Sequence, residues 1–298
     1  MRQRSTSKLT IGVVGLGAMG APIARHLLAA GHEVHVVDVD GGAVARCAGT
    51  VRQDTPADLA AAVDVVLVLV PDDDDVRSVC TGHDGVFSGA APGTVVLLCS
   101  SLQPETCEAV AAAAPPHVEV LDAALTGGVR GVEAGEVNLL VGGDADALAR
   151  VRDALVPWCS QIHHLGRLGS GQVAKTANNL IHWAQIAAIA EAFALAASWG
   201  LSIPALRTAL QAGPTDSRTM RELELMRLTW HVKDMANAQR LSRSLGTELP
   251  VAETVRRAML RTTVDGLAAL LQAEPASVPN RYAEMVSPTD QTDVSLPG

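Results

Sequence analysis

Gly15-Leu16-Gly17-Ala18-Met19-Gly20 follows an apolar, β-rich run at residues 9–14 and opens a helical stretch at 18–30 that Gly31 closes. In a GxGxxG set between a strand and a helix each glycine has a separate task. The first permits the tight turn, the second leaves room for a pyrophosphate to approach the backbone, and the third lets helix and strand pack closely. The unpaired N–H groups of the helix start then face the phosphates. The pattern alone is weak. Its placement strengthens it, and so does Asp38, at the end of a second strand and 21 residues past Gly17. Gly15, Leu16, Gly17, Ala18, Met19 and Gly20 are therefore read as a dinucleotide-binding turn. A carboxylate at Asp38 can accept hydrogen bonds from the adenosine ribose hydroxyls of NAD and repels the extra phosphate of NADP. Val39 and Asp40 supply no cation for that phosphate, so NAD is the expected cofactor.

Outward from this turn the pattern alternates. Strands are expected at 33–39, 63–70, 95–98, 118–121, 137–141 and 162–165. Helices are expected at 57–62, after Pro71 and the acidic run 72–75, at 104–114 and at 144–155. The run 63–70 is nearly all apolar, as a strand buried on both faces must be. Acidic groups at 72–75 suit the positive end of a helix dipole. Strand and helix in alternation predict an α/β fold, a Rossmann-type doubly wound and mostly parallel sheet with helices on both faces. From 171 to 199 the strand signal stops. The stretch is alanine-rich and free of proline, which favours one long central helix. Asn178, Asn179, Gln185 and Glu191 argue against a membrane span. Further helices are expected at 204–210, 217–241 and 251–273. The expected domains are thus 1–168, dinucleotide-binding; 169–287, an all-helical substrate and dimerisation domain; and 288–298, a polar tail expected to be disordered. Residues 1–8 read as a loose leader rather than a signal peptide, since no small-residue cleavage site follows a long apolar region.

Composition narrows the function classes. The 298 residues are 48% hydrophobic, enough for real cores, and carry a formal net charge of −9. Without a Lys/Arg block, that charge disfavours a phosphate backbone as partner. The five cysteines form no CxxC pair, so neither a disulfide framework nor a metal site is expected, and a reducing, cytoplasmic compartment is the simple reading. His163 and His164 are adjacent, point to different sides of a strand and have no third ligand nearby in sequence.

The chain has three lysines, Lys8, Lys175 and Lys233, against 20 arginines. Lys175 lies in Gly169-Ser-Gly171-Gln-Val-Ala-Lys175-Thr-Ala-Asn178-Asn179, where the long helix opens. Four residues separate Lys175 from Asn179, so the two share one helix face. A lysine amine there can donate to a substrate oxygen, or take a proton as a hydride leaves.

These segments resemble the beta-hydroxyacid dehydrogenase family, which includes 3-hydroxyisobutyrate dehydrogenase. The likeness covers residues 9–271. Its carriers are GLGAMGAPIARHLLAAGHEV at the start, Asp122-Ala-Ala-Leu-Thr126-Gly127-Gly128-Val-Arg-Gly131, GSGQVAKTANN and the Lys233-Asp234 pair. The resemblance implies Lys175 as general acid/base and Asn179 as the residue that orients substrate. It implies Thr126, Gly127 and Gly128 as a cradle for the substrate carboxylate, and Lys233 close to both nicotinamide and substrate. Val70, Pro71 and Ser100 would lie beside the cofactor, and Asp234 would fix local structure. The implied activity is NAD-dependent oxidation of a small 3-hydroxy acid to its semialdehyde or keto acid. The implied partners are a small carboxylate substrate and a second copy, as homodimer or homotetramer through the helical domain. Two alternatives remain: a reductase of a small carbonyl on the same scaffold, and a non-catalytic dinucleotide-binding protein. The joint presence of Lys175, Asn179, Thr126 and Lys233 speaks against the second. The chain departs from the family at Thr126, where serine is usual, at Ala124, where proline is usual, at 98–102, and in a short segment between 210 and 233. The related 6-phosphogluconate dehydrogenases carry a glutamate seven residues after the lysine, where this chain has His182.

Overall fold

The computed structural model describes residues 8–274. The expected tail at 288–298, and all of the expected leader except Lys8, lie outside the described residues. By compactness the chain divides into two units between Asn178 and Asn179.

In the first unit one eight-stranded sheet runs in the order β3-β2-β1-β4-β5-β6-β7-β8. Its strands are β1 (Thr10–Val14), β2 (Glu33–Val37), β3 (Val51–Arg52), β4 (Val65–Val68), β5 (Val95–Leu98), β6 (Glu119–Thr126), β7 (Val137–Gly142) and β8 (Cys159–His164). Its helices are α1 (Gly20–Ala29), α2 (Gly41–Ala45), α3 (Pro56–Ala61), α4 (Asp73–Thr81), α5 (Val86–Gly89), α6 (Pro104–Ala112), α7 (Gly128–Ala134) and α8 (Ala145–Leu155). The order reverses at β1, which pairs with β2 on one side and β4 on the other. Open α/β sheets bind ligands at such a switch point, outside the carboxyl ends of the strands.

Side-chain alternation along the central strands fills two cores. Val65 and Leu67 of β4 point into one and Val66 and Val68 into the other; Val95 and Leu97 of β5 divide from Val96 and Leu98 in the same way. Each such side chain contributes about 1.5–3 kcal/mol through burial. The sequence reading did not place β3, α2, α5 or α7. All are short, and periodicity needs a longer window. β7 is antiparallel to β6, whereas β7 and β8 are parallel. Only residues 127–136 join β6 to β7, fewer than the dozen or more that a parallel crossover requires.

α9 (Ser170–Ser198) begins in the first unit and continues into the second. Among the described residues it is the one helix long and apolar enough, by length and composition, to cross a membrane. The second unit continues with α10 (Ile203–Gln211), α11 (Arg218–Arg221), a 3-10 turn (Leu223–Leu225), α12 (His231–Leu245), α13 (Pro250–Met259) and α14 (Val264–Leu271). Its core gathers Trp183, Ile186, Ile189 and Phe193 of α9 with Ile203, Leu223, Met235, Met259 and Leu271.

Two expected helices are corrected. The stretch 217–241 is broken, because the Arg207 guanidinium takes the carbonyls of Met220 and Arg221 at 3.0 and 2.7 Å, which a continuing helix would need. The chain then passes through Leu228 at φ +51° before α12 starts. The stretch 251–273 is also broken. Thr263 leaves the helical conformation at φ −114°, ψ 157°, and its hydroxyl caps α14 by accepting from Gly266 N–H at 3.0 Å.

Candidate active site

The glycine turn has a separate steric requirement at each glycine. Gly15 sits at φ +93°, and a Cβ there would lie 2.5 Å from the Leu69 carbonyl oxygen. At Gly20 a Cβ would come within 1.9 Å of the Gly15 carbonyl oxygen, so only glycine lets α1 approach the turn. A Cβ on Gly17 would meet nothing within 4 Å. The space beside Gly17 is thus open to a ligand, as a pyrophosphate site requires. Asp38 holds this turn: one carboxylate oxygen accepts from Leu16 N–H at 2.5 Å and the other from Asp40 N–H at 2.8 Å. Each oxygen keeps acceptor capacity for a ribose hydroxyl.

Val70, Pro71 and Ser100 follow the carboxyl ends of β4 and β5. The buried Ser100 hydroxyl donates to the Val70 carbonyl at 2.6 Å and ties the two loops together. Asp72 accepts from Asp74 and Asp75 N–H at 3.0 Å each, so the acidic run is the capped start of α4.

β6 brings Asp122 and Thr126 to the sheet face opposite Leu121, Ala123 and Leu125, which enter the first core. The Thr126 hydroxyl donates to the Asn138 carbonyl at 3.1 Å. Gly127 and Gly128 follow at φ +107° and +61°, both exposed, in conformations that favour glycine. Asn138 pairs with Thr126 across the ladder, and its buried Oδ1 has no hydrogen-bond partner. The sequence reading passed over Asn138, since a single amide in a strand gives no periodic signal.

The reading also passed over the functional weight of Asp122 and Gln172. Asp122 is fully buried. Its two oxygens accept from Gly169 N–H at 2.6 Å and Gln172 N–H at 2.8 Å, at the opening of α9. Burial pushes its carboxyl above the usual carboxylate range, against the pull of the backbone donors. One signal was legible: a lone carboxylate within the apolar run 120–125 must find partners. Lys175 follows on α9, half-buried.

In the second unit Asn179 is buried. His182 Nδ1 lies 3.0 Å from the Thr219 hydroxyl. Trp183 Nε1–H donates to Asp234 at 2.9 Å, and the His231 ring meets Trp183 edge-on at 5.8 Å. Asp234 thus ties α12 to α9, and half-buried Lys233 precedes it on α12. Thr126, Gly127, Gly128 and Lys175 lie in the first unit, and Asn179 and Lys233 in the second.

Comparison with known proteins adds the family. Residues 10–166 match the family described as the NAD binding domain of 6-phosphogluconate dehydrogenase. Residues 169–273 match the one described as the NAD-binding part of NADP-dependent 3-hydroxyisobutyrate dehydrogenase. A 3-hydroxyisobutyrate dehydrogenase of Pseudomonas aeruginosa is 39% identical over 64% of this chain and 65% of its own length. An NAD-dependent L-serine dehydrogenase of the same organism is 37% identical over 66% of this chain and 67% of its own. The chain therefore spans about two thirds of the length of these curated relatives. A solved 3-hydroxyisobutyrate dehydrogenase of Mycobacterium tuberculosis with L-serine superposes with a TM-score of 0.79 at 28% identity, covering 90% of this chain and 96% of that one. The open side of Gly17, the carboxylate of Asp38 and both family matches agree on NAD(P) as the cofactor, and the chain belongs to the beta-hydroxyacid dehydrogenase family.

Proposed function

We propose that the chain is an NAD-dependent dehydrogenase that oxidises a small 3-hydroxy acid of the 3-hydroxyisobutyrate type to its semialdehyde or keto acid. One observation carries this reading. The first compact unit contains the glycine turn, the Thr126-Gly127-Gly128 loop and Lys175, with the start of Lys175's helix fastened by Asp122 to the strand that ends in that loop. The bound nicotinamide would supply the hydride acceptor. Lys175 takes the proton from the substrate hydroxyl, or returns it to a carbonyl in reverse. Gly127 and Gly128 hold the substrate carboxylate through backbone donors, joined by the Thr126 hydroxyl, which gives up its bond to the Asn138 carbonyl to donate there. Asn179 orients the reacting oxygen, and Lys233 adds positive charge near nicotinamide and substrate. Asp38 favours NAD over NADP. The domains assigned are 1–168 for the cofactor and 169–287 for substrate and dimerisation.

The relatives' names supply two related substrates, 3-hydroxyisobutyrate and L-serine, both of which carry a hydroxyl on the carbon β to a carboxylate. The test is cofactor absorbance over a panel of 3-hydroxy acids and their semialdehydes, with wild type and Lys175→Ala. The expected result is turnover of at least one acid, a loss of about 10²- to 10⁴-fold in kcat on substitution, and unchanged NAD binding. Turnover that survives the substitution would overturn the role of Lys175. NAD binding without turnover of any acid or carbonyl would favour a non-catalytic protein.

A further inference from the structure

Gln172 is 1% exposed, and both ends of its amide are engaged. Oε1 accepts from Leu102 N–H at 2.9 Å, and Nε2 donates to the Ser100 carbonyl at 2.8 Å. Ser100 in turn donates through its hydroxyl to the Val70 carbonyl. The backbone N–H of Gln172 is held by Asp122. One residue therefore links the opening of α9 to β6 and to the loops after β5 and, through Ser100, β4. These are the loops expected beside the cofactor.

The segment that needs such a link is Gly169-Ser170-Gly171. Gly169 sits at φ +89°. Gly171 is required because a Cβ there would lie 2.3 Å from the Leu140 carbonyl and 2.6 Å from Asp122 Oδ2. Two glycines leave the backbone free to take other conformations. A helix that slides by one residue moves 1.5 Å along its axis. Lys175 stands three residues after Gln172, on the neighbouring part of the same helix surface. Whatever fixes Gln172 fixes the height of Lys175.

We infer that Gln172 is a positioning residue: its amide clamps the loop after β5 to the first turn of α9 and thereby sets the place and environment of the Lys175 amine. The inference rests on the role given to Lys175 under Proposed function, but its test does not depend on turnover alone. With only three lysines in the chain, reductive methylation with ¹³C-formaldehyde gives few resonances, and Lys8→Arg and Lys233→Arg assign them. The Lys175 amine can then be titrated directly by NMR in the full chain.

In Gln172→Met, which keeps the length of the side chain and removes both polar ends, the Lys175 midpoint is expected to move by about 0.5 pH unit or more. The Lys8 and Lys233 midpoints should stay where they are. kcat is expected to fall roughly 10- to 100-fold, the order produced by misplacing a reacting group by about 1 Å. NAD affinity, read by fluorescence, is expected to fall by a smaller factor than kcat, since Asp38 and the glycine turn are untouched while the loops after β4 and β5 lose their clamp. Gln172→Asn keeps the amide on a shorter side chain that reaches Leu102 and Ser100 less well, and it adds no charge beside Lys175. It should give smaller changes of the same kind, and it serves as the deciding variant if Gln172→Met does not fold. A folded variant with lowered Tm but unchanged Lys175 titration and kcat would overturn the inference and leave Gln172 a structural residue only. Absence of turnover in the wild type would sink the catalytic reading instead, while the lysine titration would still decide the positioning claim.

Discussion

At the scale of single residues, the three glycines of the turn separate stability from binding. Gly20→Ala would press a methyl against the Gly15 carbonyl at 1.9 Å. It is expected to destabilise the chain by about 1–3 kcal/mol, the cost of overpacking. Gly17→Ala meets nothing of the chain within 4 Å. It should leave the melting temperature unchanged and weaken NAD binding about tenfold or more, because the added methyl occupies the place of the pyrophosphate. Thermal melts and fluorescence titrations of the two variants check this; NAD binding as in wild type by Gly17→Ala would refute the placement of the phosphates. Asp122 shows the opposite economy. Its folded pKa is raised by burial, so protonation favours the folded state. Its contribution is most favourable below the unfolded pKa and declines as pH rises through the folded one. Its contribution is therefore smaller at neutral pH than in acid, while its two backbone hydrogen bonds fix the opening of α9.

At the scale of elements, caps decide where helices of the second unit start. Ser217 accepts from Met220 N–H to start α11, and Thr263 accepts from Gly266 N–H to start α14. Thr263→Ala removes one cap and is expected to cost about 1 kcal/mol in urea unfolding. A loss below about 0.3 kcal/mol would mean that the break between α13 and α14 is held by packing instead. The broken stretch 217–241 teaches a similar lesson. Its composition is compatible with one helix, and its interruption comes from Arg207, a residue on another helix whose guanidinium competes for two carbonyls. Local propensity carries no trace of that competition. The antiparallel setting of β7 was not legible: the expected strands 118–121 and 137–141 leave 15 residues between them, enough for a crossover, and only the extension of β6 to Thr126 shortens the link to 127–136.

At the scale of the whole molecule, the exposed side of α9 in the second unit bears on assembly. Ile181, Ala188, Ala192 and Leu195 recur there at helical spacing, with Trp199 just past the helix end, and all are exposed, Leu195 at 76% and Trp199 at 64%. A second copy covering this stripe is the proposed occupant. Leu195→Glu would place a charge in that interface and is expected to halve the mass seen by light scattering, whereas a wild-type monomer would remove the proposal. The sequence by itself determined the doubly wound sheet, the glycine turn with Asp38, the long helix and the family. Each of these rests on short-range periodicity or on residues whose spacing carries a steric or chemical requirement. Only the tertiary structure decided how Asp122 and Gln172 join the opening of α9 to the middle of β6 and to the loops after β5 and β4. Gln172 and Leu102 are 70 positions apart, and Asp122 and Gly169 are 47 apart. A buried carboxylate and a buried amide in the sequence signal that partners must exist. Which backbone groups those partners are depends on the strand order and on the packing of α9 against the sheet, and neither is written in any local stretch of the chain.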